Sequence, residues 1–199
     1  LFESGIYAVL PKDMPETLAL AALDVAGAPA QVAKLARPCQ SVVILGSAGK
    51  SGMLCAYEAV KRVGPTGTVI GLVRNEKEAA LLARVSDKIK VVIADATKPI
   101  EVLNAVLAAN DGKEVDIAIN CVNVQNTEMS TILPVKDLGI AYFFSMATSF
   151  TKAALGAEGV GKDVTMIVGN GYTKDHAAIT LEELRESAVL REIFNELYV

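Results

Sequence analysis

Most of the chemistry legible in this sequence sits in one run, Gly46-Ser47-Ala48-Gly49-Lys50-Ser51-Gly52. It follows the β-branched stretch Ser41-Val42-Val43-Ile44-Leu45 and opens a segment of helical spacing, Lys50 to Val63. Glycines spaced G-x-x-G-x-x-G at a strand-to-helix turn let a diphosphate approach backbone N–H groups. The helix dipole favours the negative charge, and Cβ atoms at those points would block the approach or strain the turn. The run therefore points to a dinucleotide. A triphosphate loop is the rival, since Gly49-Lys50-Ser51 imitates its end. That motif needs an earlier glycine where Ile44 stands, inside the strand. Lys50 is expected to cap the dinucleotide phosphates or to point to solvent.

The next strand-like run, Thr68 to Val73, should end in a carboxylate if it is to hold a free ribose 2′-hydroxyl. Val73 occupies that place, Arg74 and Asn75 follow, and the first acid is Glu76. A guanidinium can pair with a 2′-phosphate bidentately, so Arg74 is expected to make NADP acceptable beside NAD. An exposed arginine stacked on adenine, tolerant of either cofactor, is the alternative. Ligands of open α/β sheets sit at the carboxyl ends of strands. Asp95-Ala96 is accordingly expected near the adenine, and Cys121-Val122-Asn123 with Ser145 near the ribose and nicotinamide. Packing in the core is an equal alternative for the Cys121 side chain.

Other chemistries find little support. One histidine and three scattered cysteines do not make a zinc site of usual spacing, and no metal is expected. No G-x-S-x-G nucleophile turn occurs. Tyr57 and Lys61 have a Tyr-x-x-x-Lys spacing, but on the helix that follows the glycine run, where it reads as chance. His176 reads as a surface residue in a loop. The sequence thus shows a cofactor-binding half without an identifiable catalytic residue.

These residues need a frame. Lys90 to Ala94, Val115 to Cys121, Gly139 to Phe144 and Val164 to Val168 are further apolar runs, with helical periods at Glu76 to Val85 and Ile100 to Ala109. Six strand-like runs separated by helices predict an α/β fold, a doubly wound parallel sheet of the Rossmann dinucleotide-binding type. The Rossmann unit is expected over 38–179 and a C-terminal helix over 180–199, with Thr180 and Glu183 as its capping box. Residues 1–37 do not fit the alternation. Tyr7 to Pro11 reads as a lone strand, and Met14 to Ala26 and Pro29 to Ala36 as two helical pieces. The sequence opens in mid-pattern at Leu1, and 1–37 is expected to connect to an N-terminal catalytic domain of a longer polypeptide.

Composition sets the outer bounds. The 199 residues are 52% apolar and 21% charged, too apolar for a disordered chain. The longest uncharged stretch, Leu138 to Thr151, is 14 residues, against the roughly 20 of a membrane-spanning helix. The high apolar share suits a sheet covered on both faces, or a surface that meets another domain or a second copy, so a homo-oligomer is expected. A net charge of −4, no basic stripe and few aromatics argue against nucleic acid. An odd cysteine count at irregular spacing suits a reducing cytoplasm.

The order Leu10-Pro11, Pro15-Glu16, an Ala/Leu helix and then Val42 to Gly52 resembles the nucleotide-binding portion of medium-chain dehydrogenases, and Val115 to Val122 resembles their fourth strand. Within that family, Leu1 to Tyr7, Leu45 to Gly52 and Gly169-Asn170-Gly171-Tyr172 are similar to a branch that deaminates a diamino acid. The resemblance implies oxidation of 3,5-diaminohexanoate at its C3 amine, with NAD or NADP as hydride acceptor, a small-molecule diamino acid as substrate, and substrate-binding groups mostly upstream of Leu1. A quinone or enone reductase of the same family, and a dinucleotide-sensing module, are the alternatives. If Arg74 reads the 2′ position, Arg74→Ala lowers the ratio of NADP to NAD affinity, measured by titration calorimetry, by about ten-fold; an unchanged ratio removes Arg74 from cofactor choice.

Overall fold

In the computed structural model, residues 5–169 and 171–199 are described. Leu1-Phe2-Glu3-Ser4 and Asn170, parts of two motifs quoted above, lie outside them. The β-branched runs form β1 (Ser41–Leu45), β2 (Thr68–Val73), β3 (Ile89–Ile93), β4 (Val115–Asn120), β5 (Val135–Phe143) and β6 (Thr165–Val168). All neighbours pair in parallel, in the order β3-β2-β1-β4-β5-β6. The fold is the α/β Rossmann-like architecture expected from the alternation of runs. Its strand order reverses between β1 and β4, the place where such sheets bind ligands.

Alternation along the strands decides which helices cover which face. Val42, Ile44, Val69, Ile117, Ile119 and Tyr142 face one layer. That layer holds α1 (Glu16–Leu23), α2 (Gly27–Leu35), α3 (Lys50–Val63), α4 (Glu76–Val85), α8 (His176–Glu186) and α9 (Ala188–Tyr198). Val43, Leu45, Ile70, Leu72, Ala118 and Phe143 face the other. It is covered by α5 (Pro99–Ala109), α6 (Glu128–Ile132) and α7 (Phe150–Gly159). Leu18 and Ala22 of α1, Ala28 and Val32 of α2, and Leu184, Ile193 and Phe194 of the last two helices are all buried in one cluster. The early segment from Glu16 onward is therefore built into the layer that covers the sheet.

Several local expectations change. Tyr7 to Pro11 is not a strand: among the described residues no strand pairs with it, and Tyr7 and Val9 stand exposed. The C-terminal helix is two helices. Ser187 breaks it, its Oγ accepting from the Leu190 amide at 3.1 Å as the cap of α9. Thr180 and Glu183 form no capping box, because α8 starts earlier, at His176. Thr180 instead donates its hydroxyl to the Ala26 carbonyl at 3.2 Å, joining α8 to the turn before α2. His176 is therefore a first-turn helical residue rather than a loop residue, with its ring edge-on to Tyr172. β5 begins four residues earlier than the run Gly139 to Phe144 suggested, and α6 and α7 were not read from the sequence at all.

Among the described residues no single helix is long and apolar enough to cross a membrane; α1 and α2 pass that test only as a pair bent by 57°.

Glu183 is the costly residue of this layer. Its side chain is buried with neither carboxyl oxygen hydrogen-bonded among the described residues. Burial first, then the charge of Glu58, pushes its carboxyl well above the usual range; Glu186 adds to this, and Lys61 and Arg62 oppose it. Below the ordinary carboxylate range both folded and unfolded states hold the proton, and the cost vanishes. Above it the unfolded chain releases the proton and the folded chain keeps it, so stability falls as pH rises toward the elevated value. Glu183→Gln is expected to match the wild type near pH 4 and to exceed it in urea midpoint at pH 7. The gap opens by at most about 1.4 kcal/mol per pH unit, and parallel pH profiles for the two proteins would refute this assignment.

Candidate dinucleotide site

A cleft of about 490 Å³ opens at the carboxyl ends of β1, β2, β3 and β4. Gly46, Ala48 and Gly49 form its roof; Leu72, Val73, Arg74 and Glu78 form one wall; Asp95, Ala96 and Thr97 close the outer end; Cys121 to Val124 form the opposite wall. Close backbone contact creates this shape. Gly46 has φ of 78°, a left-handed value, and a Cβ there would lie 3.0 Å from Val122 Cγ2 and 3.3 Å from the Cys121 carbonyl carbon. A Cβ on Gly52 would lie 2.1 Å from the Gly46 oxygen. The loop can therefore press between α3 and the end of β4 only as glycine.

The start of α3 is left open toward anions. Gly49 caps it without any side-chain acceptor, and the Met53 amide bonding the Gly49 oxygen at 2.9 Å is the first helical bond. The amides of Lys50, Ser51 and Gly52 precede that bond and have no acceptor within the helix. This cradle fits a diphosphate: bare amides, a favourable dipole and no side chain in the way.

The structure brings Gly46, Ala48, Gly49, Arg74, Asp95, Ala96, Cys121, Val122 and Asn123 together in the lining. The other sequence-derived candidates stand elsewhere. Ser47 is buried and donates its hydroxyl to the Ile44 carbonyl at 2.6 Å, fixing the turn from below. Ser51 and Gly52 belong to the first turn of α3. Lys50 is not among the residues of the cleft lining. Its Nζ pairs with Asp24 at 3.0 Å and sits 5.2 Å from the Tyr198 ring centre, on the side of α1 and α9. Asn75 caps α4, accepting from the Glu78 amide at 3.0 Å. Ser145 follows β5, its amide donating to the Asn120 carbonyl at 3.2 Å and its hydroxyl accepting from Ala147.

Three residues gain importance only in the structure. Glu78 accepts three hydrogen bonds from Arg74: from the backbone amide at 2.9 Å, from the guanidinium Nε at 2.8 Å, and from Nη2. Burial raises the Glu78 carboxyl, but the Arg74 hydrogen bonds outweigh it and leave it below the ordinary value. A carboxylate is therefore present where β2 ends, delivered from one helical turn later. The Arg74–Glu78 spacing of four was its sequence signal. Thr97 binds Asp95 through amide and hydroxyl at 2.9 and 2.7 Å, which keeps the Asp95 carboxyl below its usual value. Buried Asn120 organises the opposite wall. Its amide nitrogen donates to Thr127 at 2.8 Å and Thr131 at 2.9 Å, and its oxygen accepts from the Val122 amide at 2.9 Å.

With this geometry in place, the relatives can be set beside it. No family model matches the chain. Over its whole length the sequence is 87% identical to L-erythro-3,5-diaminohexanoate dehydrogenase of Fusobacterium nucleatum subsp. nucleatum. It is 69% identical to the enzyme of that name from Acetoanaerobium sticklandii. The chain is similar to these dehydrogenases from end to end. It spans 58% of the length of each. Among solved structures, an alcohol dehydrogenase from Thermotoga maritima superimposes with a TM-score of 0.70 at 16% identity, over 92% of this chain and 50% of that one. The alcohol dehydrogenase of Aeropyrum pernix gives 0.66 at 19% identity, over 89% and 51%. A mycobacterial protein solved with NADPH gives 0.63 at 16%, over 96% and 57%. These three share the fold.

Gly52→Ala tests the cradle. The added methyl must displace the Gly46 carbonyl, so the variant is expected to lose about 1–3 kcal/mol of stability. Phosphate-containing ligands should bind at least about ten-fold more weakly to the folded variant, read by calorimetry after far-UV circular dichroism confirms the fold. Unchanged affinity would remove the glycine turn from the site.

Proposed function

We propose that this chain is the NAD(P)-binding part of an oxidoreductase that deaminates L-erythro-3,5-diaminohexanoate to 5-amino-3-oxohexanoate and ammonium. The observation that carries the dinucleotide reading is the uncapped start of α3 opening onto the cleft between β1 and β4. The substrate reading rests on 87% identity along the whole chain to a dehydrogenase of that name.

The amides of Lys50 to Gly52 would hold the diphosphate, and glycine at 46 and 49 would admit it. Leu72, Val73 and Ala96 offer an apolar slot to a base, bordered by Asp95 and Thr97. Cys121, Val122 and Asn123 form the wall along the inner half of the cleft, held by Asn120. When bound, the nicotinamide supplies the acceptor for a hydride from the substrate carbon. The chain's own contribution is to fix the position of that acceptor.

Arg74 makes NADP acceptable, and Glu78 limits how far. A 2′-phosphate must compete with the Glu78 carboxylate for the guanidinium, whereas a ribose hydroxyl can donate to that carboxylate. Glu78→Gln weakens the competition and is expected to raise NADP affinity relative to NAD by about ten-fold.

Calorimetry with NAD and NADP tests the reading, followed by turnover assays of the full-length protein with 3,5-diaminohexanoate and with an enone panel. Binding of either dinucleotide together with diamine oxidation is the expected result. Absence of binding to both overturns the cofactor assignment, and enone reduction without diamine oxidation overturns the substrate.

A further inference from the structure

Two sulfurs meet beneath the glycine turn. Cys55 is fully buried in the middle of α3, and Cys121 is half-buried in the lining of the cleft. Their Sγ atoms lie 3.9 Å apart. A disulfide spans about 2.05 Å, so side-chain rotation that brings the sulfurs roughly 2 Å closer would join them. Cys39, the third cysteine, precedes β1 at the opposite, amino-terminal end of the strands, where its sulfur contacts the Thr66 hydroxyl at 3.0 Å.

We propose that Cys55 and Cys121 are an oxidation site of the cleft, a dithiol that a small hydroperoxide converts into a reversible disulfide. Exposure sets the order of events. Cys121 is reached through the cleft, and its thiolate attacks the peroxide O–O bond. One oxygen stays on sulfur as a sulfenic acid, and the other leaves as hydroxide, which takes up a proton to become water. The Cys55 sulfur then attacks the Cys121 sulfur, forming the S–S bond and expelling the second oxygen, also as water. Two thiols and one hydrogen peroxide thus give one disulfide and two waters. Burial, followed by the hydrogen bond with Cys121, pushes the Cys55 thiol well up, so Cys55 is the poorer first nucleophile, and its proton leaves with the departing hydroxyl in the second step.

The new bond would tie the end of β4 to α3 directly under the loop. The Cys121 amide already donates to the Leu45 carbonyl at 3.0 Å, and its carbonyl carbon packs against Gly46. Movement of Cys121 toward α3 therefore moves the wall on which that turn rests. Where the cleft holds a dinucleotide, as proposed above, its affinity falls on oxidation.

The full protein is treated with hydrogen peroxide, alkylated, digested and mapped by mass spectrometry. The expected product is a cross-linked pair of peptides containing Cys55 and Cys121, two hydrogens lighter than the thiols and separated again by dithiothreitol. Recovery of Cys121 as a sulfinic acid with Cys55 still alkylated, or of both as free thiols, overturns the proposal. NAD and NADP are titrated against the reduced and oxidised forms in parallel. Binding about ten-fold weaker after oxidation, restored by dithiothreitol and insensitive to peroxide when Cys55→Ala and Cys121→Ser are combined, supports the effect on the cleft; a cross-link with unchanged affinity overturns it. Failure of the reduced protein to bind either nucleotide overturns the cofactor reading alone, because the mass measurement does not depend on it.

Discussion

The contact between Gly46, Gly52 and the residues that leave β4 determines the rest of the site. Three backbone segments converge there with no room for a methyl group: the turn after β1, the first turn of α3, and Cys121-Val122. Parallel pairing makes this convergence possible. Leu45 sits beside Leu72 on one side and Asn120 on the other, so three neighbouring strands end together. The chain then has to leave in different directions, which opens the cleft. The same register sends the helix after β1 to one face and the helix after β4 to the other, and the opening lies between them.

Positioning of the walls is shared among groups that do not face the cleft. Asn120 is buried and is not part of the cleft lining, yet it holds the amide of Val122 and two threonine hydroxyls of the next segment. Ser47 acts likewise under the turn. Buried Glu128 accepts from the Ser149 amide at 2.7 Å and fixes the start of α7 below the same edge. Each is a satisfied buried polar group, and removing a partner would leave another unpaired in a poor dielectric.

Much of the frame was legible because buried parallel strands leave β-branched runs that glycine or proline interrupts. The range of α3 was readable from Gly49 before it and Gly64 after it, and that of α4 from the helical period of Glu76 to Val85. What escaped had weak or contradictory local signals. α6 is a single turn among polar residues. α7 buries only the small side chains of Ala153 and Ala157, so it shows no apolar stripe. Tyr7 to Pro11 has the residue types of a strand, but a strand needs a partner and the sequence cannot display one. Within the site, the glycine turn was readable because backbone conformation constrains residue type. The Lys50 side chain was not, because its direction depends on Asp24, which follows α1 and is distant in sequence. Glu78 was passed over because the acid was sought beside Val73, while the structure brings it back across one helical turn.

The packing of α1 and α2 against α8 and α9 has a consequence for how the molecule is made. One face of the sheet is closed by the earliest and the latest described helices together, with Phe194 and Ile193 beside Leu18 and Ala22, and Arg84 of α4 grips Glu196 by a two-pronged pair at 2.9 and 3.0 Å. A nascent chain on the ribosome can lay down strands and close the opposite face while this one is covered only by α1 to α4. Its apolar stripe remains open until α9 has emerged, some 170 residues after α1 (counting from Leu18 to Leu190). Contacts so distant along the chain form slowly, and the half-covered sheet is the species most in need of a chaperone.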